Sequence, residues 1–187
     1  ERESKKEKIA EILTGLGFLE ISSYHLLTKE DLKKCNFKEA IEVEKSKTDY
    51  RILRPSLICS MLNVLSNNVD SEYPQKIFET GTIFEKNLKE ETGIEEKEKL
   101  CVAIAPGNFT ELKQVLEYLA KMLNVKIELE ETKAENFIEG RTAKILIDGQ
   151  NAGVMGEIHP STLKSWHLKM PLALLEIELK NLIAEGN

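Results

Sequence analysis

The chain predicts an α+β fold, with a largely antiparallel sheet flanked by helices. Asp148-Gly149-Gln150-Asn151 separates two apolar runs, Ala143–Ile147 and Ala152–Gly156, and reads as the turn of a hairpin. Val125, Ile127 and Leu129 alternate with Lys126, Glu128 and Glu130, the period of a strand with one covered face, so a helix sits behind it. Strands joined by hairpins or separated by isolated helices do not fit a doubly wound parallel sheet.

Taken in order, residues 4–16 predict a charged helix. Its narrow apolar stripe is Ile9, Ile12, Leu13 and Leu16, at i, i+3, i+4 and i+7, and Gly15 with Gly17 marks its end. Phe18 to Leu27 reads as a strand. Thr28 with Asp31 three residues on is a capping signal for a short helix through Lys34. Pro55 suits the first turn of the next helix, where its missing N–H costs nothing. Leu57, Ile58, Met61, Leu62 and Leu65 then line one face, and Asn67, Asn68 and Asp70 stop it. Lys76 to Phe84, rich in aromatic and β-branched residues, is a strand with Gly81 in its middle. Asn87 to Lys99 (NLKEETGIEEKEK) reads as a solvated loop leading to a strand over Leu100 to Ala105.

Asn108 with Glu111 opens a helix to Asn124 that carries Phe109, Leu112, Val115, Leu116, Leu119, Met122 and Leu123 on one face. The alternating strand and the hairpin follow. Pro160 begins another short helix, and Pro171 precedes a final strand over Leu172 to Leu179. No internal repeat or low-complexity linker interrupts residues 1–187, so a single domain is expected.

The hydrophobic fraction of 41% and charged fraction of 31% are those of an ordinary globule. A net charge of -6 disfavours a large nucleic-acid-binding surface, because phosphate contacts draw on clustered Lys and Arg. No apolar run reaches the length of a membrane span, and ERESKKEK lacks the apolar stretch of a signal peptide, so no membrane association and a cytoplasmic location are expected. Cys35, Cys59 and Cys101 are widely spaced, and His25, His159 and His167 sit in no ligand pattern, so no metal site is expected. A ligand site would draw on Arg54, Arg141, Glu157 and His159. Glu157 and His159, two apart on a strand, point to the same face and could share a proton or a ligand. The structural reading is that they hold turns in place, with Gly140 and Gly156 in tight backbone and His159 bonding the start of a helix.

The stretch from Ile52 to Lys86, ILRPSLICSMLNVLSNNVDSEYPQKIFETGTIFEK, carries more information when read with GLGFLEISSY (Gly15–Tyr24), FIEGRTAKI (Phe137–Ile145) and GVMGEIHP (Gly153–Pro160). Together these segments resemble the β subunit of phenylalanyl-tRNA synthetase, archaeal or eukaryotic type, in the catalytic-like module at its C-terminal end. The resemblance covers nearly the whole chain and implies a class II aminoacyl-tRNA synthetase-like core. It further implies an α2β2 holoenzyme that joins phenylalanine to tRNA with ATP and magnesium. The chemistry then lies in the α subunit, tRNA is engaged through the holoenzyme, and this domain holds no cofactor of its own. As the family's β subunit is several times longer, the chain reads as a C-terminal fragment whose tRNA-contacting and editing modules are not represented.

Catalytic members carry, on the strand corresponding to Lys76–Glu85, an arginine that holds the α-phosphate of ATP. Here the residue after Phe84 is Glu85. At about 4 Å and an effective dielectric near 20, the lost attraction is roughly 4 kcal/mol, and repulsion replaces it. A shift of one residue would bring Lys86 there, which lacks the planar fork of an arginine. The glycine-rich third motif ending in Glu-Arg is also absent between Pro171 and Asn187. The resemblance therefore implies a non-catalytic domain that scaffolds the catalytic α subunit. A charged helix followed by a strand is also the arrangement of the first class II motif, which forms the subunit interface. On that reading Ile9, Ile12, Leu13 and Leu16 face a partner; on the other they pack on the chain's own sheet. Two further functions remain open on sequence: a free-standing amino-acid ligase using Lys86 and Arg141 as replacement cations, and a regulatory paralogue that binds an amino acid without reacting.

Overall fold

The computed structural model describes residues 2–44 and 46–183. It begins with helix α1 (Arg2–Gly15), short strands β1 (Leu19–Glu20) and β2 (Leu26–Leu27), helix α2 (Lys29–Lys34) and short strands β3 (Ile41–Glu42) and β4 (Ile52–Leu53). Helix α3 (Leu57–Asn67), the long strands β5 (Gln75–Lys86) and β6 (Ile94–Ala105) and helix α4 (Phe109–Leu123) follow. Then come β7 (Ile127–Glu131), β8 (Phe137–Ile147), β9 (Gln150–Ile158), α5 (Pro160–Ser165), β10 (Ala173–Glu178) and α6 (Leu179–Ile183).

Seven strands form the main sheet in the order β1-β5-β6-β10-β9-β8-β7, and three form a small one in the order β2-β4-β3. Every pairing is antiparallel except β1 with β5. The fold is thus α+β, with a large sheet between two helical layers. On one face Phe78, Leu100, Val102, Ile104, Ile145 and Leu175 pack with apolar residues of α1, α4 and α6. On the other Ile77, Cys101, Ala103 and Leu174 pack with Leu57, Met61, Leu62 and Leu65 of α3 and Trp166 after α5. Burial of each such Leu or Ile contributes about 1.5 to 3 kcal/mol, so α3 is held by its apolar face.

Local chemistry accounts for most boundaries. Thr28 and Asp31 form the full capping box of α2. At α4, Asn108 Oδ1 accepts from Glu111 N at 2.9 Å, while the Glu111 carboxylate pairs with Lys76 at 3.2 Å instead of bonding back to the cap. Asn124, at φ 56°, closes that helix in the left-handed region that asparagine tolerates. Asp148 and Gly149 both have positive φ, 51° and 73°, which makes the two-residue turn between β8 and β9 a type I′ turn.

Three expectations need correction. Phe18–Leu27 is not one strand: Ile21 N still donates to Phe78 O, but Ser23 N turns to the Glu79 carboxylate at 3.3 Å. The chain therefore leaves the large sheet and enters the small one. Pro55 precedes the helix cap and does not lie in the first turn, because Ser56 Oγ accepts from Ile58 N at 3.0 Å and makes Ser56 the N-cap. The solvated loop is only residues 87–93; Ile94–Lys99 continue β6 in unbroken register with β5. Charge alternation there serves cross-strand and inter-element pairs such as Lys97 with Glu85 at 2.5 Å and Lys99 with Glu176 at 2.8 Å.

Candidate functional site

The register places a row of side chains across the face of the sheet that α3 covers at one end. Glu79 lies opposite Cys101, Cys101 opposite Glu176, Glu176 opposite Val154, Val154 opposite Lys144, and Lys144 opposite Glu130. Residues that pair across strands project to the same face, so strand order alone assembles this line from six segments. Two buried carboxylates lie in this row, Glu79 at its β5 end and Glu176 two strands further on.

Each carboxylate is engaged from several sides. Arg54, 1% exposed, extends from the end of β4 and donates through Nη1 to Glu79 Oε1 at 2.8 Å and to Ser23 Oγ at 2.9 Å. Its Nε donates to Thr82 O at 2.7 Å, and Ser23 Oγ donates to Glu79 Oε2 at 2.6 Å. Gly81 leaves the room: a Cβ there would collide with Arg54 Nη2 and come within 3.1 Å of Leu57. Glu176 Oε1 accepts from Ser56 Oγ at 2.8 Å and from Leu57 N at 2.7 Å, while Lys99 Nζ donates to Oε2 at 2.8 Å. The positive N-terminal end of α3 is therefore closed by a carboxylate of the chain's own sheet. Between the two acids, burial pushes the Cys101 thiol well above its ordinary range, and the Glu176 and Glu79 charges push it further.

This arrangement leaves little reactive capacity. Beside it lies a shallow groove of about 310 Å3, lined in part by Lys99, Lys144, Asn151, Val154, Glu176 and Glu178. Its sheet lysines are engaged, Lys99 by Glu176 and Lys144 by Glu130 at 3.5 Å. The three cysteines are free and buried, and burial also raises the Cys59 thiol, helped by its hydrogen bond with Cys35. Among the described residues, no three His, Cys, Asp or Glu side chains are grouped to hold a metal ion.

The residues singled out in the sequence fall in separate places. Glu85 lies near the far end of β5 and accepts from Lys97 Nζ at 2.5 Å, a bond that raises the Lys97 pKa. Arg141, 61% exposed, donates to Glu157 Oε2 at 2.7 Å, and Glu157 Oε1 accepts from Phe109 N at 3.0 Å at the start of α4. His159 does not join Glu157. It has left the strand and caps α5, its Nδ1 accepting from Ser161 N at 3.1 Å, so the shared-face geometry ends at Ile158. Ile9 and Leu13 are fully buried in the chain's own core, whereas Ile12 and Leu16 are half-buried against it. Of the stretch 171–187 that lacks the third motif, residues 184–187 lie outside the described residues.

Reading the sequence missed Glu79, Glu176, Ser23, Ser56 and Lys99 as a connected group. One signal was available: Glu176 interrupts the otherwise apolar run ALLEI, and Glu79 follows Ile77-Phe78, both out of place in strands buried by helices.

A family model described as the phenylalanyl tRNA synthetase beta chain CLM domain matches residues 1–179. The phenylalanine–tRNA ligase beta subunit of Pyrococcus abyssi is 37% identical over 183 residues, covering 95% of this chain and 33% of that protein. The same subunit of Thermococcus onnurineus is 34% identical over 199 residues, covering 96% and 35%, and that of Methanocella arvoryzae is 35% identical over 182 residues, covering 92% and 33%. A pyrrolysyl-tRNA synthetase structure from Desulfitobacterium hafniense shares the fold with a TM-score of 0.77 at 16% identity, over 95% of this chain and 64% of that one. The chain spans about a third of the length of the curated relatives it matches.

Proposed function

The chain belongs to the phenylalanyl-tRNA synthetase beta chain CLM domain family, and from that premise we propose that it is a non-catalytic scaffold that docks on the catalytic α subunit of an α2β2 phenylalanine–tRNA ligase. The observation that carries this reading is the closed charge pattern at the sheet centre. Arg54 is bound to Glu79, and Lys99 and the N-terminus of α3 are bound to Glu176. A nucleotide triphosphate needs cations presented to its phosphates, and here they are held by the chain's own acids.

The donor set does not fit ATP with magnesium. Glu85 is paired with Lys97, and the buried carboxylates Glu79 and Glu176, whose oxygens are the donors a divalent ion would need, are already in ion pairs. ATP and magnesium are assigned to the α subunit, and tRNA to the assembled holoenzyme, in keeping with the net charge of -6 on this chain. None of the described helices is long and apolar enough to cross a membrane; the place in the cytoplasmic translation machinery is assigned from the family alone.

For the docking face we assign the outer side of α1, with Ile12 and Leu16 as its apolar contribution. Ile9 and Leu13 hold the same helix to this chain's core. Co-purification of the full β subunit with its α subunit tests the scaffold, and Ile12→Asp with Leu16→Asp should abolish it while the fold persists. Pyrophosphate exchange with phenylalanine and ATP tests the catalytic side. Exchange by this chain without the α subunit would overturn the reading in favour of a free-standing ligase, and amino-acid binding without exchange would favour a sensor.

A further inference from the structure

β5 and β6 run on beyond the sheet they help to build. β10 pairs with β6 only over residues 99–104, whereas β5 stays paired to β6 as far as Lys86 opposite Ile94. Residues 82–98 therefore leave the large sheet as a two-stranded arm. The small sheet supports its base: Phe84 N donates to Arg54 O at 3.0 Å, and the Phe84 ring meets His25 edge-on at 5.8 Å.

The tip is ordered by its own bonds. Asn87 N donates to Gly93 O and Lys89 N to Asn87 Oδ1, both at 3.0 Å, and Asn87 Nδ2 donates to Glu95 Oε2, also at 3.0 Å. This bonded turn holds Leu88 out into water at 98% exposure. Next to His25 at the base stands Tyr24, 83% exposed, with its ring 6.2 Å from that of Tyr50, which is 47% exposed. Exposed tyrosines are among the side chains that dominate binding interfaces, and a leucine on a preordered turn loses little backbone freedom when it is buried by a partner.

Charge selects the kind of partner. Residues 82–98 contain six glutamates (85, 90, 91, 95, 96 and 98) and three lysines (86, 89 and 97). An arm of that sign repels nucleic-acid phosphates and anionic lipid headgroups, and it complements a protein surface rimmed by Lys and Arg. We propose that the arm is a docking device: Leu88 enters an apolar socket with a basic rim on a protein partner, and Tyr24 with Tyr50 covers the base of the same contact. This rests on the scaffold reading, under which the partner is the catalytic α subunit.

The test uses the full-length β subunit with its α subunit. Leu88→Asp, and separately Glu90→Lys with Glu91→Lys, should each weaken association at least tenfold, and the charge reversal should also flatten the salt dependence of the association rate. Because these side chains lie on the exposed tip, the urea midpoint of each variant should match the wild type. Unchanged affinity in both variants overturns the proposal. A photo-crosslinking residue at position 88 should capture the α subunit; capture of tRNA or of a second β subunit also overturns it. If the tip variants assemble normally while Ile12→Asp with Leu16→Asp does not, the arm proposal falls and the scaffold reading stands. If wild-type β subunit does not assemble with α at all, both fall.

Discussion

Replacing Arg54 by methionine keeps much of the stem's volume and removes the guanidinium, which isolates its role in the sheet centre. Glu79 would keep only Ser23, through Oγ at 2.6 Å and N at 3.3 Å, and Thr82 O would lose its donor at 2.7 Å. With charge centres about 4 Å apart and an effective dielectric near 20, the lost attraction is roughly 4 kcal/mol. Breaking a buried pair from one side typically costs about 3–5 kcal/mol, because the remaining charge stays out of water without compensation. For a chain of this length each kcal/mol moves the melting temperature by about 2–4 °C, so a fall of roughly 6–20 °C is expected. Urea denaturation followed by circular dichroism measures the loss as a lower midpoint with an unchanged slope. Glu79→Gln alone should also destabilise, and the double variant should recover part of the loss, giving a coupling of about 2 kcal/mol or more. A loss under about 1 kcal/mol for Arg54→Met, or single effects that add within about 0.5 kcal/mol, would refute a tightly coupled buried pair.

Glu176→Ala removes the acceptor for Leu57 N, Ser56 Oγ and Lys99 Nζ together, and should cost about 2–4 kcal/mol by urea denaturation, more than an ordinary helix cap at about 1 kcal/mol. Glu85→Arg should leave pyrophosphate exchange by the isolated chain at background, since the cations of the sheet centre remain engaged; measurable exchange would show that position 85 alone decides activity. Stability should fall at alkaline pH. The Cys101 and Cys59 thiols are raised in the folded state, so their contribution is complete below the unfolded thiol value of about 8.5 and is lost as pH climbs toward the folded values. Urea midpoints from pH 7 to 10 should decline less steeply in Cys101→Ala than in the wild type, from a lower starting point.

Periodicity made much of the fold legible in the sequence. The apolar faces of α3 and α4, the alternation of β7 and the turn at Asp148-Gly149 depend on neighbours within a few residues, which a linear pattern records. The ordered segments from Gly15 to Pro160 were distinctive enough to bring the family into view. The site was less legible. His159 lies two residues from Glu157, yet the strand ends between them, and the β-strand rule that paired them no longer applies.

What the tertiary structure alone decided is the charge pairing and the division of the α1 stripe. Arg54 meets Glu79 across 25 residues and Ser56 meets Glu176 across 120, distances over which sequence spacing carries no geometric information. Strand order brings them together, because β10 returns between β6 and β9 and sets Glu176 beside Cys101 and Lys99. Ile9 and Leu13 differ from Ile12 and Leu16 for a related reason. All four lie within one stripe of the helix, and the positions of α4, α6 and the sheet determine which of them its own chain buries.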